Sequence, residues 1–137
     1  MTYQHLQDRL MRHELWQSSG GRLGEQLAES GLDFSGQSLD GRNLAGALIP
    51  GARLCGMTIR GADLHGANLG GADLSDAVLV DVALAKANLD NANLRNLTVT
   101  GGTWFRATCE DAQTEGLRFS GTNLERVFPD LRLFSGM

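Results

Sequence analysis

Apolar residues recur along most of this chain at every fifth position. The series starts at Phe34 and runs through Leu39, Leu44 and Ile49 to Phe119 and Leu124, and only Thr114 among its nineteen members is polar. Two residues before these centres alanine stands ten times, at 47, 52, 62, 67, 72, 77, 87, 92, 107 and 112. The other three columns are mostly polar, and the phase never slips. A period of five fits neither the 3.6 residues of a helical turn nor the alternation of a flat strand, so each unit must bend. In extended backbone the alanine column and the centre point to one side, and the residue between them to the other. The two positions after the centre turn the chain. Glycine fills the second of these eight times running, from Gly36 to Gly71, where a type II turn needs positive φ. Asp76, Asp81, Lys86, Asn91 and Asn96 then replace it, and the corners are expected to leave that geometry from Asp76 to Asn96. A strand and a corner repeated with one side always inward make a solenoid with a Leu/Ala interior, hydrogen-bonded from coil to coil.

The ends read differently. Tyr3, Leu6, Leu10 and Leu15 or Trp16 recur at helical spacing up to Gln17. Ser18-Ser19-Gly20-Gly21 breaks the chain, and a second short helical stretch is expected over 23–30, so that 1–30 forms a helical cap on one open end. Pro129 takes the next centre position and cannot donate to a ladder, which places the end of regular coiling near Leu124. The β-helix is therefore expected over 31–126, and 127–137 as an apolar segment serving as cap or dimer contact. A tube this narrow is limited in volume. Gly102 accordingly precedes Trp104, and Val99 follows Leu97.

The units ADLHG, ANLGG and ADLSD over 62–76, followed by KANLD and NANLR over 86–95, resemble the A(D/N)LXX motif of the pentapeptide-repeat family. The resemblance covers about two-thirds of the chain. It implies an all-β solenoid, a right-handed quadrilateral β-helix with four units per coil and just under five coils, about 23 Å long at strand spacing. The HELWQSSGG segment is similar to heads that precede the repeats in some members.

Composition and charge narrow the function. Of 137 residues 18 are glycine, one is lysine, and the formal charge is −4. That balance argues against direct nucleic-acid binding and against a polybasic membrane anchor. There is no apolar run long enough for a membrane span and no signal-peptide core, so a cytoplasmic, bacterial-type protein is expected. Cys55 and Cys109 lack ligand spacing and are read as free thiols. His65 beside Asp63 has no nucleophile to serve, so no catalytic, metal or cofactor site is expected.

With four units per coil, residues twenty apart share a face. One face then gathers Asp90, Glu110, Asp111 and Asp130 without a basic residue, and apolar residues cluster elsewhere as Val78, Val80, Ala83, Ala85 and Phe105. These features point to a non-catalytic protein-interaction or scaffold module with a protein partner. The family resemblance adds an alternative, a DNA-mimicking modulator of a type II topoisomerase such as gyrase, supported by the acidic face. A structural or secretion-associated adaptor is a further one. Phe119, Phe128, Leu131, Leu133 and Phe134 outnumber the residues available to cover them, so a homodimer through the carboxy-terminal end is expected; the resemblance points the same way.

Overall fold

The structure, a computed structural model, describes residues 2–132. It opens with helix α1, Tyr3–Ser18, whose first turn is capped by Thr2: the His5 N–H donates to Thr2 Oγ1 at 3.1 Å. Leu6 and Leu10 face the core, and the helix ends at Ser19, whose N–H donates to the Leu15 carbonyl while the Gly20 N–H donates to that of Gln17.

Beyond the helix the chain coils. Strands β1 (Thr58–Arg60), β2 (Val78–Val80), β3 (Thr98–Thr100) and β4 (Arg118–Ser120) lie side by side in parallel, each twenty residues from the next: Ile59 faces Leu79, Leu79 faces Val99, and Val99 faces Phe119. The other three sides carry single bridges at the same interval, such as Asn68 to Asn88 and Asp73 to Asn93. Four units thus complete one turn of a right-handed quadrilateral β-helix. The alanine and centre columns fill its interior, from Phe34 to Leu124. Trp104 is fully buried and meets the Phe119 ring edge-on at 5.0 Å. Gly102 serves this packing in a second way. A Cβ there would lie 2.3 Å from the Val82 carbonyl oxygen, so its backbone can pass only as glycine.

The residue between the two inward columns decides how each side bends. At several of these positions an Asp, Asn or Thr side chain accepts the N–H two residues on: Asp63 from His65 at 3.0 Å, Asn68 from Gly70 at 2.9 Å, Asn88 from Asp90 at 2.8 Å, Thr103 from Phe105 at 3.1 Å. These side-chain turns draw the following residues into the corner. A backbone bond closes it, as from Ala67 N–H to Leu64 O at 3.0 Å. On the β1–β4 side the same position holds Thr58, Val78, Thr98 and Arg118. Among the described residues no equivalent bond closes the corners after those strands, and the chain there stays extended.

Three expectations are corrected. The corners do not change after Gly71: Asp76, Asp81, Lys86, Asn91 and Asn96 all keep positive φ, with 53° at Asp81 and 61° at Lys86, and so do Arg106, Asp111 and Arg126. From Asp76 to Arg106 each of these corner N–H groups is committed to the next coil, Asp81 to Thr100 O at 2.9 Å and Lys86 to Phe105 O at 2.8 Å, and buried inward residues flank them. The ladder therefore imposes the left-handed conformation, and the side chain bears a cost of about 1–2 kcal/mol, least for Asn and Asp. Second, 23–30 is not helical; Ala28 already bridges to Leu48, because Leu27 and Leu32 point into the tube as a first partial coil. Third, coiling continues past Leu124 to a bridge between Thr108 and Phe128, since Phe128 can pair before Pro129 interrupts the ladder.

Candidate interaction surfaces

The sequence-derived apolar cluster lies on two adjoining sides of the coil. Val78 and Val80 project from the outer side of β2, flanked by Thr58 and Thr98 and by Arg60 and Thr100. Ala83 bridges Asp63 and Thr103 around the Asp81 corner, and Ala85 and Phe105 follow on that side. All five are half-buried, and the Arg106 guanidinium stands 5.3 Å from the Phe105 ring centre. The strongly exposed large apolar residues are others: Met11 and Leu15 on the outer side of α1, then Leu23, Leu48 and Phe128.

Asp90, Glu110 and Asp111 stand on one side, and of the three the Asp90 carboxylate is held by the coil. Asp90 Oδ1 accepts the Glu110 N–H at 2.9 Å, and Asp111 is a positive-φ corner residue. Asp130 is not an uncompensated charge. Arg132 pairs with it at 2.7 Å, and hydrogen bonds from the Arg132 side chain and N–H hold its carboxyl at about 2. The expected all-acidic face is corrected accordingly, because Arg132, two residues on, folds its guanidinium onto the Asp130 carboxylate.

The carboxy-terminal end differs from the expected apolar contact. Phe119 and Leu131 are buried in the chain's own core, since Val127 and Leu131 fold over the last coil, while Phe128 is 59% exposed. Leu133 and Phe134 lie outside the described residues. A recess of about 470 Å³ opens here between Phe119, Leu124, Asn123, Glu125 and Arg132.

Asp63 and Cys109 serve the coil itself. Asp63 is the corner acceptor for His65 N–H, and the exposed His65 ring is 3.6 Å from it. Cys109 is a buried centre residue whose thiol burial, with Asp90 nearby, pushes up to about 12; Cys55 is half-buried. Both are free.

The residues that fasten α1 were not singled out by the sequence. Leu27 donates its N–H to His13 Nδ1, and the Ala45 carbonyl accepts from His13 Nε2 and Gln17 Nε2, at 2.9, 2.9 and 2.7 Å. Glu14 accepts the Asn43 N–H at 3.1 Å and pairs with Arg42, which also meets Gln7; Gln26 donates to the Gly46 carbonyl at 2.8 Å. These side chains supply the partners that a preceding coil would have given. Gly24 lets the chain touch the helix backbone, for a Cβ there would sit 2.2 Å from the Arg12 carbonyl oxygen. The signal was present: Leu6, Leu10, His13 and Gln17 share one helical face, apolar where it covers the tube and polar where it meets the edge.

A family model for pentapeptide repeats, counting eight copies, matches at residues 38–76 and 59–96. No curated protein matches the sequence. Among solved structures, the chain is similar to QnrB1, a plasmid-mediated fluoroquinolone resistance protein, at 17% identity and a TM-score of 0.48, with 74% of this chain covered. The chain spans 55% of the length of that structure. It is also similar to the pentapeptide repeat protein Rfr23 from the cyanobacterium Cyanothece 51142, at 20% identity and a TM-score of 0.44, covering 85% of this chain and 90% of that one. A pentapeptide repeat protein from the Arabidopsis thaliana thylakoid lumen matches at 29% identity and a TM-score of 0.37, covering 72% and 61%.

Proposed function

We propose, for a chain that is a pentapeptide-repeat protein, a non-catalytic role as an interaction module that presents a flat side of a rigid coil to a protein partner. One observation carries this reading: outer side chains are fixed at coil spacing by the inter-coil ladder and by the side-chain turns of Asp63, Asn68, Asp73, Asn88 and Asn93. A surface ordered before contact loses little freedom on binding. The side that carries Val78 and Val80, continued around the corner to Ala85 and Phe105, offers a run of half-buried apolar side chains on the regular coil. Capture from native lysate by wild type beside Val78→Glu/Val80→Glu tests it. A partner retained by wild type and lost from the variant is the expected result, and identical captured sets overturn the assignment of that side.

The topoisomerase-directed alternative rests on Asp90, Glu110 and Asp111 alone, now that Arg132 compensates Asp130. Duplex DNA carries one charge per about 1.7 Å, a density this side does not approach. No effect on gyrase supercoiling is expected, and inhibition or protection at stoichiometric protein would favour the alternative. Self-association through the carboxy-terminal end belongs to the same interaction role, with Phe128 as its exposed apolar contact. Cytoplasmic residence also belongs to the proposal. Among the described residues no helix is long and apolar enough to cross a membrane.

A further inference from the structure

The first coil leaves a row of backbone groups without a preceding coil, and one side chain that satisfies the row is a histidine. His13 is buried between α1 and that coil. Leu27 N–H can only donate and the Ala45 carbonyl can only accept, so His13 must keep a lone pair at Nδ1 and its proton at Nε2. The docked helix therefore demands a neutral ring.

We propose that His13 is an acid-sensitive latch: a proton taken up at Nδ1 places a second donor against the Leu27 N–H, expels the ring from its slot and frees α1 from the first coil. The surrounding charges do not prevent this. On its own helix Glu14 follows His13, and Arg9 and Arg12 lie within one turn. The incoming segment carries Glu25 and Glu29, the latter paired with Arg9 at 2.7 Å, and the first coil contributes Arg42. Glu14 favours the imidazolium, but Arg42 at 2.5 Å and the Asn43 N–H already engage its carboxylate. Burial dominates, and His13 titrates below its ordinary value of 6.5, against smaller opposing effects of the Ala45 carbonyl and Glu14. A group neutral in the folded state and freely protonated in the unfolded one stabilises fully above about pH 6.5. That contribution is lost as pH falls through the lowered folded value.

Release has a defined consequence. Leu6 and Leu10 leave the core, and the Asn43 N–H and the Ala45 carbonyl lose their helix-borne partners, opening a strand edge that the helix had blocked. The full chain titrated from pH 7.5 to 4 by NMR tests this, with the three histidine rings followed individually and amide exchange corrected for its intrinsic pH dependence. Leu27 should lose at least tenfold of its protection at the pH where the His13 ring titrates, while the Leu79 and Val99 amides stay protected. His13→Gln keeps a donor and an acceptor without titrating, and should abolish the transition. Unchanged Leu27 protection through the His13 titration overturns the latch, as does the same transition in His13→Gln. If that variant does not fold, the wild-type titration decides alone.

Discussion

Lys86 and Gly66 occupy equivalent corners, and the difference between them isolates what a corner asks of a residue. Both have positive φ, 61° and 66°, and nothing lies within 4 Å of a Cβ built on Gly66, so backbone conformation alone separates glycine from other residues there. Lys86→Gly should raise stability by about 0.5–1 kcal/mol, the relieved strain less the extra entropy of an unfolded glycine, and Gly66→Ala should lower it by about 1 kcal/mol. Denaturant midpoints shifting in opposite directions would show this. The thiols separate just as sharply. Cys109 is buried with its thiol pushed up to about 12, whereas Cys55 is half-buried, so in native protein at pH 8 a thiol reagent should label Cys55 and reach Cys109 only on unfolding. Equal labelling rates would place Cys109 outside the core.

Within one five-residue unit, the inward and outward positions carry different kinds of stability. Leu74 is a centre residue inside the tube, and Leu74→Ala should cost about 2–5 kcal/mol through lost burial and the cavity left behind. From its outward position Asp73 reads as dispensable, but its Oδ1 accepts both the N–H and the hydroxyl of Ser75, at 3.0 and 2.6 Å. Asp73→Ala should therefore cost about 1 kcal/mol, between a surface change and a core deletion. Urea titrations of the two variants beside Asp73→Asn, which retains an acceptor and should stay close to wild type, check the order. The A(D/N)L pattern was legible as a family signature, while its physical role needed the structure. Period alone says only that Asp73 points outward; its hydrogen bond to Ser75 depends on the corner that follows.

At the scale of the whole molecule the two ends are closed by different means. Helix α1 covers one end with Leu6 and Leu10 and satisfies the strand edge with polar side chains. At the other, Val127 and Leu131 fold inward and leave Phe128 exposed beside the open recess. Sedimentation at tens of micromolar should show a wild-type dimer that Phe128→Asp converts to monomer. A monomeric wild type, or a dimer that survives the charge, would remove the carboxy-terminal contact.

The five-residue period by itself determined the coil, its inward columns and its interior, because a repeat with one apolar side has a single way to bury that side along its whole length. Glycine at the early corners likewise announced positive φ. Only the tertiary structure decided that Asp81, Lys86 and Arg106 adopt the same conformation, since the ladder fixes the corner once its neighbours are packed and overrides the preference of the residue. It also decided that 23–30 coils and that Phe119 and Leu131 are interior. The role of His13, Glu14 and Gln17 as partners for the first coil was fixed there too, because their hydrogen bonds reach residues 14–32 positions away that no local pattern brings together.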